Sequence, residues 1–527
     1  MPSNQVAIRH LFEGGWATDF GQTAEVPIEP AGPGFGFLRL PFLADAENCL
    51  YELNGGPHKM PGLSKLNSSA LASGATIKGL FDYWISGSGG SSTQHRVVAV
   101  GTVIMEDDAD GTFVNLFTGM TAGLMVNFFV FDDILIISNG QDVPKSWDGS
   151  TAQNLAGSPP NFTFGCSHKN RAWAAGVNAN PSRLYYSASL NPEDWAGAGS
   201  GSIDIDPNDG DRITAIISHR NELIVFKGPY KGSVHRITGS SPSDFARTTF
   251  VEGIGAVGQS SLFRFGNDVG FVWSDGSIRS LSATAEFGDY DEVALSRPIQ
   301  TWLREHLTMN RLTHITVADW QDRGVVLFGV PIDSVQNPNC VLAMDYRFSP
   351  VRWSLLSALT TQATALASVV DASDNNRRIV MGGGSDGYVR KFGRASRSID
   401  GATSISFKVT SPFLNYLTPL TMKTFVGGSV GLVPKNSGSF TLGWYRDNNA
   451  QQSLALSQSG GSELDSFELD VDTLGGSRFV DRFFSAEEGG EFRSIAFQVT
   501  HNTVNEDIEI HSITGMAEVG AMSLENS

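Results

Sequence analysis

Cysteine is scarce in this chain of 527 residues: Cys49, Cys166 and Cys340 are the whole complement, widely spaced and odd in number. They form no CxxC or Cys/His pattern, which argues against a disulfide framework or a structural zinc and points to synthesis in a reducing cytoplasm. Positive charge is scarce as well. Lysine and arginine number 37 against 55 aspartates and glutamates, a net charge of −18. A protein that grips nucleic acid neutralises phosphates with lysine and arginine, so tight DNA binding is disfavoured. A negative wall past which DNA slides without adhering stays open, beside plain solubility. Long apolar runs are missing too. The most apolar stretch, residues 124–137, is broken by Asn127, Asp132 and Asp133 and reads as two adjacent strands; a helix crossing a bilayer needs about 20 apolar residues, so no membrane insertion is expected. The opening Met1-Pro2-Ser3-Asn4 has no basic stretch followed by an apolar core, so no secretory signal is read there.

What the chain has is glycine, 58 residues of it, and 41% hydrophobic residues. Glycine supplies the positive φ that tight turns between short strands demand, so an all-β fold is expected. Single cores stop growing near about 250–300 residues, so at least two domains are expected. In residues 1–75, Pro27, Pro30, Pro33, Pro41, Pro57 and Pro61 interrupt regular elements. That region predicts an extended arm lying on another surface or on a neighbouring subunit. Helical spacing is confined to 45–52 and to 295–306, where Ile299, Leu303 and His306 share a face.

From about residue 76 to 395 a motif recurs: a β-prone run, a turn, a second run and often a tryptophan. Residues 128–138, Asn139-Gly140 and 145–149 with Trp147 show it; Trp195, Trp273 and Trp353 fall at similar places, which favours core packing over a sugar platform. Successive units begin roughly 40–55 residues apart, close to the period of a four-stranded propeller blade. Six or seven blades are predicted, a large sandwich or two stacked sheets being the alternative. Asn-Gly and Asp-Gly between the runs signal type I′ hairpins. Past residue 396 the strands lengthen and alternate (404–409, 424–432, 439–445, 466–471, 492–500, 508–516), as in an antiparallel sandwich. Residues 401–527 hold 15 acidic and 7 basic side chains, a shift that marks a separate platform domain at 396–527.

Candidate chemistry is thin. Asp204-Ile205-Asp206-Pro207-Asn208-Asp209-Gly210-Asp211 has oxygen ligands at alternating positions like a calcium loop. An EF-hand needs glycine at its sixth position and glutamate at its twelfth, where this chain has Asp209 and Ala215. An acidic turn between blades fits better. Glu106-Asp107-Asp108-Ala109-Asp110-Gly111 reads as a solvated hairpin tip. Gly228-Pro229-Tyr230-Lys231-Gly232-Ser233 lacks the spacing of a phosphate loop and no helix is expected after it, so its amides are not expected to converge on a phosphate. Ser274-Asp275-Gly276 and Ser385-Asp386-Gly387 fall short of the sialidase box, and no carboxylate pair stands out. The ten histidines form no HxH or HExxH group, and His168 and His219 read as surface residues in loops. No catalytic, cofactor or metal residue is assigned.

Several segments nonetheless resemble one family. They are Gly14-Gly15-Trp16-Ala17-Thr18-Asp19-Phe20-Gly21, Tyr51-Glu52-Leu53-Asn54-Gly55-Gly56, Lys59-Met60-Pro61-Gly62 and Ser138-Asn139-Gly140-Gln141-Asp142-Val143-Pro144. Arg183-Leu184-Tyr185-Tyr186-Ser187, Pro192-Glu193-Asp194-Trp195 and Gly210-Asp211-Arg212-Ile213 continue the series. Together they are similar to the tail-nozzle (tail hub or head-stabilisation) proteins of short-tailed bacteriophages, over most of residues 10–400. The resemblance implies a non-enzymatic virion protein: a propeller and a β-rich platform assembled as a hexameric ring below the head-to-tail adaptor. Such a ring lines or gates the DNA exit channel during genome ejection and anchors fibres or a needle; the virion is assembled in the bacterial cytoplasm. The resemblance brings no catalytic residues and no cofactor. A receptor- or glycan-binding tail protein is the alternative, and a propeller glycosidase a further one.

Overall fold

The computed structural model describes residues 5–11, 15–18, 42–87, 90–108, 110–287, 294–393, 396–416, 420–435, 438–447, 451–458, 480–486 and 490–520. The chain is all-β and divides into two compact units. One is residues 65–342 with 359–392; the other joins 1–64, 343–358 and 393–527.

The first unit is a seven-bladed propeller. Its inner strands are Ile77–Ser86, Asn127–Phe131, Phe164–His168, Arg212–His219, Phe263–Phe265, Thr316–Trp320 and Ala365–Asp371, and each opens an antiparallel meander. Blades one to four are complete four-stranded sheets; blade five keeps three strands, Phe263–Phe265, Asp268–Val272 and Ile278–Ser280, and continues into the helix Leu281–Phe287. In blade seven, residues from the N-terminal side add to the outer strand Val389–Phe392: the Leu66 amide donates to the Val389 carbonyl, and Asn67 Oδ1 accepts from the Val389 amide.

Why these residues make blades is visible in the burial. In Arg171–Ala175, Glu222–Gly228 and Val325–Val330 nearly every side chain is buried, because central strands of a blade are covered on both faces. Blades are glued by shared apolar clusters. Tyr83, Val97, Leu135, Ile137 and Trp147 join blades one and two; Phe129, Phe162, Ala174 and Trp195 join two and three. Trp173, Tyr186, Ile216 and Val225 join three and four; Phe226, Phe271 and Trp273 join four and five. Phe263 meets Phe328 edge-on at 5.0 Å, and Trp320 meets Phe392 at 5.7 Å, continuing the series. The ring closes where Thr364 Oγ1 donates to the Ile77 carbonyl (2.8 Å), the Ile77 amide donates to Gly384 (3.1 Å), and Asp82 accepts from the Val370 amide (3.0 Å). A mixed cluster of Ile77, Leu80, Val98, Val369, Ile379 and Met381 lies at that seam.

Turn chemistry departs from expectation. Both residues of Asp132-Asp133, Lys169-Asn170 and Arg220-Asn221 have positive φ, so the type I′ turns join inner strands to their neighbours at these pairs. At Asn139-Gly140, Asp275-Gly276 and Asp386-Gly387 only the glycine has positive φ. There an aspartate or asparagine side chain caps the amides two residues on, as at Asn139 and Asp275. The 295–306 reading is met in part: a 3-10 turn, Arg297–Ile299, leads into the α-helix Gln300–His306, with Ile299 and Leu303 buried. The 45–52 helix is not. Those residues form the strands Asp45–Glu47 and Cys49–Tyr51, with Asn48 at φ 53° between them. Asp45 and Glu47, two apart on one strand face, both pair with Lys408 of the strand Phe407–Thr410, which a helix could not offer.

The second unit is a β-sandwich. One sheet contains Cys49–Tyr51, Pro57–Lys59, Glu509–Val519, Lys423–Val433 and Val480–Ser485; the other includes Arg352–Leu356, Asp45–Glu47, Phe407–Thr410, Ile495–His501, Ser439–Arg446 and Gln452–Ser457. Phe425 of the first sheet meets Trp444 (5.6 Å) and Phe497 (5.6 Å) of the second, so an aromatic core joins them. Gln5–Leu11 pairs antiparallel with Glu509–Val519 over its whole length. Residues 5–11 and 42–64, read above as part of an arm, are therefore strands and connections of this sandwich, and residues 343–358 belong to it too. The prolines at 27, 30, 33 and 41 and the strand read at 466–471 lie outside the described residues. No helix among the described residues is long and apolar enough to cross a membrane.

Trp173 is 1% exposed and its indole donates to the His168 carbonyl, so Trp173→Ala is expected to cost the propeller about 3–5 kcal/mol. Tyr230→Ala, at a side chain 80% exposed, is expected to stay within about 0.5 kcal/mol of wild type. Equilibrium urea unfolding followed by tryptophan fluorescence checks both.

Candidate functional site

Inner strands of a propeller bring their starting residues toward the axis, and here those residues frame a cavity of about 410 Å³. Asn127, Thr163 and Phe164, and Arg212 to Thr214 come from the starts of blades two to four; Val257 to Ser260 and Thr313-His314 lead into blades five and six. Amide, hydroxyl, guanidinium and imidazole groups line it, and its lining residues include no carboxylate. Around His314 the field is positive. Burial first, and then Lys78, hold the His314 imidazole below its usual pKa; burial and Arg311 lower the Lys78 ammonium in turn. Lys78 Nζ is satisfied by the neutral Asn337 Oδ1 at 2.7 Å. Among the described residues, none of those lining this cavity is acidic. Such a lining can hold a polar neutral or anionic group, and lacks the acid and base that glycoside hydrolysis requires.

The acidic loops resolve into internal pairing. In residues 204–211 the carboxylates diverge. Asp204 takes Arg183 Nε and Nη2 at 2.7 and 2.9 Å, Asp206 takes Arg247, and Asp209 takes the wholly buried Lys227 Nζ at 2.7 Å. Lys227 also donates to the carbonyls of Ile205 and Asp206, so the loop is folded around an ammonium and offers no calcium cage. Asp211 accepts the amides of Tyr230, Lys231 and Gly232 at 2.8, 2.9 and 2.7 Å. The amides of the 228–233 loop converge on the chain's own Asp211 carboxylate, a partner that the sequence reading, which weighed only a phosphate, did not consider.

Residues 106–111 are not simply a solvated tip. Asp107 is fully buried, pairs with Arg96 at 3.3 Å and accepts the amides of Asp110 and Gly111. Glu106 and Asp108 stand beside His95. His168 is likewise interior, 6% exposed on the inner strand of blade three with Nδ1 against Ser218 Oγ at 2.8 Å, and His219 is half-buried at the end of its strand. Trp147, Trp195 and Trp273 are buried between blades, and Trp353 is buried within the sandwich.

One charge network went unread in the sequence because its partners lie far apart along the chain. In the sandwich, buried His58 sits between Glu52 (2.6 Å) and Asp507 (2.8 Å), and Arg397 Nη2 donates to Asp507 at 2.9 Å. Burial opposes charge on His58, but these hydrogen bonds outweigh it and raise its pKa; Asp507 is held well below the carboxylate range by His58 and Arg397 despite its burial. Lys59 next door donates to the Thr503 carbonyl, and burial lowers its pKa to about 8. Every member is engaged, so the network reads as a tie between strands.

No protein-family model matches this chain, and no curated protein matches it. Solved structures to which it is similar include the computationally designed Ika8 protein, at 14% identity and TM-score 0.35 over 62% of this chain and 99% of that one. YCF48 bound to a D1 peptide is similar at 10% identity and TM-score 0.38, over 64% and 98%. A chain of a mitotic checkpoint complex is similar at 11% identity and TM-score 0.39, over 62% and 93%. The propeller assignment rests on the strand pairings themselves.

Burial holds the His168 pKa down to about 4 from an unfolded value of 6.5. Between those two values the unfolded chain takes up a proton that the folded chain refuses, so stability falls as pH drops from 6.5 towards 4. The loss of propeller melting temperature between pH 7 and pH 4.5 is expected to shrink in His168→Gln, as followed by calorimetry.

Proposed function

We propose that this chain is a structural protein of a bacteriophage tail, of the nozzle type. In this reading it forms a homo-oligomeric ring, a hexamer, below the head-to-tail adaptor, anchors fibres or a needle, and lets the genome pass during ejection. It has no catalytic task and works in the assembled virion.

The reading is supported first by the resemblance of the segments around Gly15, Asn54, Asn139, Tyr185 and Asp194 to that family. The observation that carries it physically is the consumption of charge inside the fold. The carboxylates of the 204–211 loop and Asp107 are bound to the chain's own cations and amides. A closed wheel of protected sheets, tied internally at its loops, is suited to bear load as a ring component. The sandwich unit also carries large apolar side chains in solvent, Leu53 (79%), Leu420 (81%) and Phe483 (77%) among them. Apolar side chains that stay wet in one copy are the usual material of obligate contacts.

A second reading has an observation of its own. The axial cavity, with Asn127, Thr163, Arg212, Gln259 and His314 on its walls, favours a receptor- or glycan-binding tail protein that holds a polar ligand at the propeller mouth. Its carboxylate-free lining gives the glycosidase alternative no support at that place.

Mass measurement and negative-stain imaging of the purified chain, and of material released from particles, distinguish these. Rings of six copies are expected. A strict monomer in both preparations would overturn the nozzle reading, and saturable oligosaccharide binding by that monomer would install the second.

A further inference from the structure

We propose that blade one carries a binding site for a divalent transition-metal ion, formed by His95, Glu106 and Asp108. The hairpin Ser92–Val100 to Val103–Asp107 pairs Val97 with Glu106 and Arg96 with Asp107. Continuing that register by one residue sets Asp108 opposite His95. Side chains two apart on a strand share a face, so His95, Glu106 and Asp108 fall on one side of the hairpin, while Arg96 and Asp107 fall on the other.

The geometry is convergent. His95 Nδ1 lies 2.7 Å from Asp108 Oδ1 and 3.2 Å from Glu106 Oε2, and the three atoms lie within 4.8 Å of one another. Edges of a tetrahedral site with bonds of about 2.0–2.1 Å are about 3.3 Å long, so a small adjustment admits an ion. The imidazole is fixed for the task. His95 is 7% exposed, with its ring edge-on to Trp147 at 4.9 Å and beside Tyr83 at 6.1 Å. Tyr83 is itself anchored through its hydroxyl to the carbonyls of Asp133 and Trp147.

Without an ion two carboxylates face one ring nitrogen. Nδ1 carries at most one proton, so the two carboxylates share or compete for it. Asp107 does not relieve this, because Arg96 and the amides of residues 110 and 111 already hold it on the opposite face. A dication replaces the Nδ1 proton, which leaves to solvent, and neutralises both carboxylates. One nitrogen and two oxygens with an open position for water suit zinc or manganese; calcium prefers six to eight oxygens. The ion would lock the tip of blade one against the Trp147 cluster that joins it to blade two, a structural role.

Isothermal titration of the full-length protein at pH 7.5 with ZnCl2, and separately with MnCl2 and CaCl2, tests this. One equivalent of zinc is expected to bind with a rise in melting temperature, with manganese weaker and calcium weaker still. His95→Ala and Asp108→Asn are expected to weaken zinc by at least about tenfold. The Asp108 side chain is 70% exposed, so Asp108→Asn leaves the fold intact, as an unchanged metal-free melting curve will show. Asp110→Asn, whose carboxylate caps the Thr112 amide and is not one of the three converging groups, is expected to bind as wild type does. Absence of stoichiometric zinc binding, undiminished binding by Asp108→Asn, or an equal loss in Asp110→Asn, which would signal diffuse attraction to an acidic tip, each overturns the proposal.

Discussion

The propeller depends on one seam. Six of its blade interfaces are formed between neighbours in sequence, whereas the seventh must bring residues 359–392 back to the strand Ile77–Ser86. Thr364, Gly384 and the Asp82–Val370 contact make that junction with hydrogen bonds to buried backbone groups, and the apolar cluster around Ile77 and Met381 covers them. Left open, the inner strands of blades one and seven would present unpaired apolar faces to water. Closed, every inner strand has a neighbour on both sides. The addition of residues 65–67 alongside Val389–Phe392 works in the same sense, because the end of the circle is held by chain from its beginning.

Electrostatics follow from that closure. Much of the wheel's buried charge is matched within the chain, and three sites show how. Lys227 is wrapped by two carbonyls and Asp209; Asp211 fills a nest of three amides; Asp107 takes Arg96. The strong net negative charge therefore does not describe the surroundings of His314, where Lys78 and Arg311 set the local sign. Net charge is a property of the whole surface, while sites are decided by a handful of neighbours.

How much of this was legible depends on the range of each interaction. Blades announced themselves because a meander is local: residues 128–138 and 145–149 hold strand, turn and strand within one reading window. The 45–52 segment misled because its helical spacing was local too, and its true partner, Lys408, lies hundreds of residues on. The same holds for Gln5–Leu11 and for the His58–Asp507–Arg397 network, whose members no motif connects. The His95, Glu106 and Asp108 face was legible in principle. A tight turn at Gly101-Thr102 fixes which residues oppose one another, and counting outward from it places all three together.

The pairing of Gln5–Leu11 with Glu509–Val519 has a temporal meaning. Gln5–Leu11 is made long before its partner and completes its ladder only once Glu509–Val519 has emerged, whereas blades can form one after another. A chain cut short in translation would carry a finished wheel and an unfinished sandwich. The sheet that carries Phe483 is thus complete only once Glu509–Val519 has been made.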